Sequence, residues 1–219
     1  METPFLTHLT QEDYKFVYEA SEDSFLLLDA LEEDLPQIRQ QKPLFCVEIG
    51  SGSGVIVTAL AKSLSSSAHC VGIDVNPYAC KATKKTSLVN GASVDVTTMD
   101  LLSGFRSNSI DLLIFNPPYV PTEADEEDCE GGETFSGCLV KSWAGGEDGC
   151  STVNRLLPTL VEKLAPASVF YLLLLRENKP KEWLKTFQQF GFSGSIIKER
   201  KIRGEYLYIL KIVRCNSIK

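Results

Sequence analysis

The sequence predicts an α/β fold: a seven-stranded, mostly parallel sheet with an antiparallel C-terminal strand and helices on both faces. Three observations predict it. Short apolar runs of strand length alternate along the chain with longer segments of helical character. Leu44–Ile49 and Ile110–Phe115 are apolar with little interruption, as strands buried on both faces are. Near the C-terminal end, Ser193–Glu199 and Glu205–Val213 follow one another with only a turn at Arg203-Gly204 between them, which makes a hairpin.

The elements follow in order. Ser21 is placed to cap a helix whose first turn carries Glu22 and Asp23, acids that suit the positive end of the helix dipole. Phe25, Leu28, Leu31 and Leu35 supply its apolar stripe. Leu44–Ile49 is a buried strand that ends at glycines, and Val55–Leu64 is a helix. His69–Ile73 is the next strand, and Pro77 opens a helix running to about Leu88. Val94–Met99 and Ile110–Phe115 are further strands, Thr152–Leu164 is helical, and Ser168–Leu175 is a strongly apolar strand. Pro180–Phe190 is the last helix before the hairpin.

A length of 219 residues suits one domain, so 1–219 is expected to be a single unit carrying an acidic loop at about 122–133. The net charge of −7 equals the seven acids of that loop, which has no Lys or Arg, so the rest of the chain is neutral. No run of 18 apolar residues is present, and Met1 to Tyr14 lacks the basic-then-apolar pattern of a secretory signal. The seven cysteines, Cys46, Cys70, Cys80, Cys129, Cys138, Cys150 and Cys215, include no C-x-x-C pair. They are read as reduced thiols in a cytoplasmic protein, with the nucleus as a second compartment, and no metal site is expected. Two basic clusters, Lys81/Lys84/Lys85 and Lys198/Arg200/Lys201/Arg203, are read as solvated faces.

The first chemical signal is Phe45-Cys-Val-Glu-Ile-Gly-Ser-Gly-Ser-Gly54, a strand leading through glycines into a helix. Gly50, Gly52 and Gly54 let the backbone turn sharply and approach a ligand at a helix N-terminus. A dinucleotide site would place its third glycine at position 55, which is Val55 here. The G-x-G-x-G spacing after Glu48 instead resembles motif I of class I methyltransferases, whose cofactor is S-adenosylmethionine. Asp74 ends the next strand, where a carboxylate accepts hydrogen bonds from a ribose diol. Asp100, after the third strand, is placed to accept the adenine amino group.

The second signal is Asn116-Pro-Pro-Tyr119, directly after the strand Ile110–Phe115. Pro117 and Pro118 fix φ and remove two donors, leaving a stiff loop with carbonyl oxygens free to accept. Asn116 adds a side-chain carbonyl, and Tyr119 an aromatic face for a planar group to stack on. Such a loop suits an sp2 –NH2 group. Both hydrogens can be held by the Asn116 side-chain oxygen and the Pro117 carbonyl, turning the nitrogen lone pair towards a sulfonium methyl. With only His8 and His69 in the chain, neither in a motif, no nucleophilic triad is evident.

The combination resembles the HemK/PrmC family, in its short eukaryotic form without the bacterial N-terminal helical domain. The similarity runs over nearly the whole chain: Tyr18-Glu-Ala-Ser-Glu-Asp-Ser-Phe-Leu-Leu-Leu28, Glu48–Gly54, Asp74-Val-Asn-Pro77, Asp100-Leu101, Asn116–Tyr119 and Trp143-Ala-Gly-Gly146. The resemblance implies a Rossmann-like class I methyltransferase sheet. It implies methylation of the glutamine side-chain amide (N5) in a Gly-Gly-Gln motif of a class I translation termination factor. It implies cofactor contacts at Ser24, Glu48, Gly50, Asp74, Asp100 and Leu101, with Asn116 at both cofactor and substrate and Pro117 and Tyr119 framing the target amide; Pro118 completes the substrate loop. It also implies a heterodimer with a small zinc-ribbon activator subunit. The family's Tyr-Glu-Pro-Ala-Glu-Asp-Thr reads Tyr-Glu-Ala-Ser-Glu-Asp-Ser here, and Ser24 keeps the hydroxyl.

Asn-Pro-Pro-Tyr is also similar to the motif of adenine-N6 DNA methyltransferases, and the two acceptors are chemically alike. The acids that follow the loop would repel phosphates within a Debye length of about 8–10 Å, so DNA is ranked below the glutamine amide. No membrane partner is expected. Protein lysine methylation is a third option, since an acidic rim attracts basic peptides. An inactive cofactor-binding scaffold would show damage at Glu48, Asp74 or Asn116–Tyr119, and the sequence has none.

Overall fold

The structure, a computed structural model, describes residues 1–122 and 142–215. The acidic segment from residue 123 onward, with Cys129 and Cys138, lies outside the described residues. The described elements are α1 (Glu22–Gln41), β1 (Phe45–Ile49), α2 (Val55–Leu64), β2 (His69–Asp74), α3 (Pro77–Val89), β3 (Val94–Thr98), β4 (Ile110–Phe115), α4 (Ser151–Lys163), β5 (Leu164–Leu175), α5 (Pro180–Gln189), β6 (Phe192–Lys201) and β7 (Tyr206–Arg214).

The strands form one seven-stranded sheet in the order β3-β2-β1-β4-β5-β7-β6. The β1–β2, β1–β4, β2–β3 and β4–β5 pairs are parallel, and β7 runs antiparallel between β5 and β6. Alternate side chains of the central strands serve two cores. Val169, Tyr171 and Leu173 of β5 join Leu26, Leu31 and Ile38 of α1 and Leu60 of α2 on one face. Phe170, Leu172 and Leu174 join Val153, Leu156 and Leu160 of α4 and Trp183 and Phe187 of α5 on the other. Both faces are therefore covered, which is why β5 reads as an unbroken apolar run rather than an alternation. Each fully buried Leu or Phe contributes about 1.5–3 kcal/mol of apolar transfer.

Three details differ from the sequence reading. Phe25, expected in the apolar stripe of α1, is 37% exposed, because the buried face is centred on Leu27, Leu31 and Ile38. Ser21 makes no side-chain cap to the helix backbone. Its hydroxyl donates instead to Asp23 Oδ1 at 3.2 Å, and Asp23 takes the Ser24 N–H at 2.6 Å. Strand β5 starts at Leu164 rather than Ser168, through an irregular stretch in which Ala167 has φ 62° and the pairing to β4 shifts register.

The sheet order positions the site. From β1 the chain moves outward through β2 and β3, then returns to place β4 on the other side of β1. Ligands of open α/β sheets bind where the order reverses, outside the carboxyl ends of the strands. Here that place lies between β1 and β4, whose last residues Ile49 and Phe115 are register partners. The next residues are Gly50 and Asn116. The two loops singled out in the sequence are thus neighbours across one crevice.

Candidate active site

The glycine loop is built as a tight turn held from the side by α3. Gly50 (φ 65°), Gly52 (φ 51°) and Gly54 (φ 78°) all have left-handed backbones, which side chains disfavour. Thr83 Oγ1 donates to the Gly52 carbonyl at 3.1 Å, and Thr86 Oγ1 donates to the Ser53 carbonyl at 2.6 Å. Both threonines are fully buried. A Cβ on Gly54 would lie 2.6 Å from Thr83 Cα, so this glycine lets α3 approach the loop. Gly54 is not among the residues that line the cavity, and the structure gives it a packing role against α3.

Two acids brace the loop. Glu48 is buried, with Oε2 accepting the Val57 N–H at 2.8 Å and so tying β1 to the first turn of α2. Burial pushes its carboxyl well above the ordinary range, the Val57 N–H partly offsets this, and Asp74 pushes the same way as burial. Asp74 accepts from Gly52 N at 3.1 Å and Asn76 N at 2.9 Å. Burial raises its carboxyl against those backbone donors.

The Asn116–Tyr119 loop is braced on its other side. Asn178, buried between β5 and α5, donates to the Tyr119 and Asp148 carbonyls at 3.0 and 3.1 Å and accepts Leu175 N–H at 2.7 Å. Val120 and Ala144 form a parallel bridge, with Val120 N–H donating to Trp143 O at 3.0 Å and Gly145 N–H to Val120 O at 2.8 Å. Asn116 Nδ2 donates to Asp23 Oδ2 at 2.9 Å. Asn116 Oδ1 is buried and has no hydrogen-bond partner among the described residues. Nor does any described group donate to the Pro117 carbonyl. Two acceptors of consecutive residues are therefore without a donor among the described residues. Tyr119 is only 9% exposed, so little of its ring is open for stacking. Its hydroxyl donates to Asp23 Oδ2 at 3.2 Å, and burial, then Asp23, pushes the phenol up.

Both loops open into one cavity of about 1050 Å³. Ser24, Glu48, Gly50, Gly52, Asp74, Asp100, Leu101, Asn116, Pro117, Pro118 and Tyr119 all line it. Ser24 turns its hydroxyl to Asp23 Oδ1 at 3.3 Å. Asp100 sits on the rim, its Oδ2 held by Arg155 at 2.5 Å, beside Leu101 with φ 49°. The cavity suits an adenosyl sulfonium: left-handed glycine backbone for close approach, Asp74 for a diol, and carboxyl groups for cationic centres. Sequence reasoning missed Asp23, Thr83, Thr86, Asn178 and Glu205. The first was read as a helix-dipole acid in a first turn that also carries Glu22. Glu205, expected as the start of a strand, lines the cavity. Burial, then Asp23 and Glu177, raises its carboxyl.

The methyltransferase small-domain family matches residues 20–130, which contain both loops. A human protein, methyltransferase HEMK2, is 35% identical over 215 residues, covering 97% of this chain and 96% of the relative. The chain belongs to this methyltransferase family. The eRF1 methyltransferase catalytic subunit mtq2 of Schizosaccharomyces pombe is 36% identical over 231 residues, covering 99% of this chain and 97% of the relative. Among solved structures, the Mtq2–Trm112 complex of E. cuniculi, described as methylating the translation termination factor eRF1, matches with a TM-score of 0.66 at 26% identity. That match covers 91% of this chain and 99% of the other. The seven-stranded sheet is the class I methyltransferase fold.

Proposed function

We propose that this chain transfers a methyl group from S-adenosylmethionine to the side-chain amide nitrogen of the glutamine in a Gly-Gly-Gln motif of a translation termination factor. The observation that carries the reading is Asn116 Oδ1, buried and without a hydrogen-bond partner among the described residues, in the loop that follows the β1–β4 register pair Ile49 and Phe115. With the Pro117 carbonyl it makes two acceptors, which match the two hydrogens of a primary amide. When bound, the cofactor supplies an electrophilic methyl on a sulfonium. The chain's own residues do the rest. Asp74 would hold the ribose diol and Asp100 the adenine edge, while Glu48 and the Gly50–Gly52 backbone line the methionine end. Asn116 and Pro117 would orient the amide by accepting its two N–H hydrogens; the nitrogen that gains the methyl gives up one of those protons to solvent, restoring a neutral amide. Tyr119 and Pro118 close the wall and exclude water.

The names of the fission yeast and E. cuniculi relatives support the termination factor as substrate and a small partner subunit as companion, here read as a zinc-ribbon activator. The cytoplasm, where termination occurs, is the proposed site of action. Nucleic acid fits less well. Lys198 pairs with Glu33, and Arg200 with Glu22 and Asp29, so these cations already serve α1. Lys84 donates to the Val94 carbonyl and Lys85 to the His8 carbonyl.

The test offers labelled cofactor to the chain and its activator with a Gly-Gly-Gln protein, duplex DNA and a basic histone-like peptide in parallel. Label in the Gly-Gly-Gln protein alone is the expected result. Label in DNA or peptide, and none in the protein, would replace this substrate with another.

A further inference from the structure

We infer that Asp23 is the positioning residue of the acceptor half of the site: it fixes which way round the Asn116 amide sits, and so keeps an oxygen rather than an NH2 facing the substrate nitrogen. The inference rests on the amide-acceptor reading of the site.

The argument starts from an ambiguity in asparagine itself. Its amide has an accepting and a donating end of nearly the same shape, and a half-turn about the last bond exchanges them. Only the orientation with oxygen towards the substrate can hold an –NH2 group. The other presents hydrogens to hydrogens. Something must choose, and a carboxylate can, because an ionised carboxylate accepts and never donates.

Asp23 is that carboxylate. It sits in the first turn of α1, is 2% exposed and lines the cavity. Its two oxygens divide the work. Oδ1 faces its own helix, accepting from Ser24 N at 2.6 Å, Ser24 Oγ at 3.3 Å and Ser21 Oγ at 3.2 Å. Oδ2 faces the catalytic loop, accepting from Asn116 Nδ2 at 2.9 Å and Tyr119 OH at 3.2 Å. The loop is thus held at its first and last residues by one oxygen atom. With Nδ2 engaged there, Oδ1 of Asn116 is the end left without a partner among the described residues.

Charge gives a second reason for an acid here. Asp23 has no cationic side chain as an ion-pair partner among the described residues. A buried carboxylate without a countercharge is costly. The cavity it lines is the one proposed above to take a cationic methyl donor. Through Asn116, the acid is placed to favour the charge that develops on the acceptor nitrogen during transfer, not the bound donor itself.

Substituting Asp23→Asn separates the two duties. The replacement keeps an oxygen for the Ser24 N–H, so the helix start and the fold persist. Towards Asn116 it offers an NH2, which favours the reversed orientation. The expected result is a kcat lower by about a hundredfold, with cofactor affinity and melting temperature close to wild type. Combining Asp23→Asn with Asn116→Asp then restores the polarity: the new amide donates to the new carboxylate, whose second oxygen faces the substrate. The double variant is expected to recover at least about tenfold over either single variant, an interaction a merely structural role would not give. Asparagine-selective ¹⁵N labelling reads the same contact without any acceptor, as a shift of the Asn116 side-chain NH2 signals in Asp23→Asn.

Kinetics are read on whichever acceptor the wild type methylates. Failure of the Gly-Gly-Gln protein as acceptor thus counts against the substrate alone. The Asp23 inference is overturned by unchanged kcat in Asp23→Asn, by a loss matched by lost cofactor binding or folding, by a double variant no better than the singles, or by unmoved Asn116 NH2 signals.

Discussion

Gly50 and Gly54 look alike in the sequence, share left-handed backbones, and have different jobs in the structure. Gly50 lines the cavity, and a Cβ there would find its nearest neighbours at 3.8 Å, in ordinary contact. Gly54 is not among the cavity-lining residues, and a Cβ there would meet Thr83 Cα at 2.6 Å and Thr83 Cβ at 3.0 Å. The obstacle is helix backbone, which cannot rotate aside. Gly50→Ala therefore bears only the cost of left-handed φ, about 1 kcal/mol. Gly54→Ala bears that cost plus overpacking against α3, together about 3 kcal/mol. For a protein of this size each kcal/mol lowers Tm by about 2–4 °C, so the losses are roughly 2–4 °C for Gly50→Ala and 6–12 °C for Gly54→Ala. Affinity for the cofactor is expected to run the other way, weakening more in Gly50→Ala, whose new methyl sits on the ligand side. Thermal melts and isothermal titration with S-adenosylhomocysteine on the two variants measure both quantities. If Gly50→Ala is the less stable of the pair, or Gly54→Ala melts with the wild type, the division of labour between these glycines is wrong.

Other expectations follow from the same geometry. Asn116→Ala removes the proposed amide acceptor together with the Nδ2 donor to Asp23, so kcat should fall by about a hundredfold or more while cofactor binding largely persists; single-turnover assays beside binding titrations check this. Asn178→Ala leaves the Tyr119 and Asp148 carbonyls and the Leu175 N–H without their partner, and should cost about 2–4 kcal/mol in denaturant unfolding. Glu48 carries a pH signature. Its carboxyl is raised from 4.5 in the folded chain, so between 4.5 and its folded value the folded state holds a proton that the unfolded state has released. Stability from this group is complete below 4.5 and is lost as pH rises through the folded value. Glu48→Gln, which keeps an oxygen for Val57 N–H, should therefore gain Tm over wild type progressively as pH rises above 4.5 in cofactor-free melts.

Much of this was legible in the sequence because the signals are local. Strand β4 and the rigid pair Pro117-Pro118 are written in consecutive residues, and the turn at Arg203-Gly204 lies where the hairpin reverses. The strand order is not local. Periodicity gives seven strands but does not say that β4 returns beside β1, and that placement is what brings Gly50 to Asn116. Asp23 was hidden for the same reason. Its partner Asn116 is 93 residues away, so in the sequence it is one more acid at a helix start. The packing of Gly54 against α3 was not legible, because a glycine required by a ligand and a glycine required by a neighbouring helix leave the same mark in a sequence. Phe25 falls at helical spacing with Leu28, yet the buried arc of α1 is fixed by which side meets β5 and α2.

A structure of the chain with S-adenosylhomocysteine and a Gly-Gly-Gln peptide tests the account most directly. It should show the glutamine amide N–H groups within hydrogen-bond distance of Asn116 Oδ1 and the Pro117 carbonyl, with the nitrogen turned towards the cofactor sulfur across a gap wide enough for one methyl. A glutamine bound elsewhere, or a cofactor whose sulfur points away from Asn116, would contradict it.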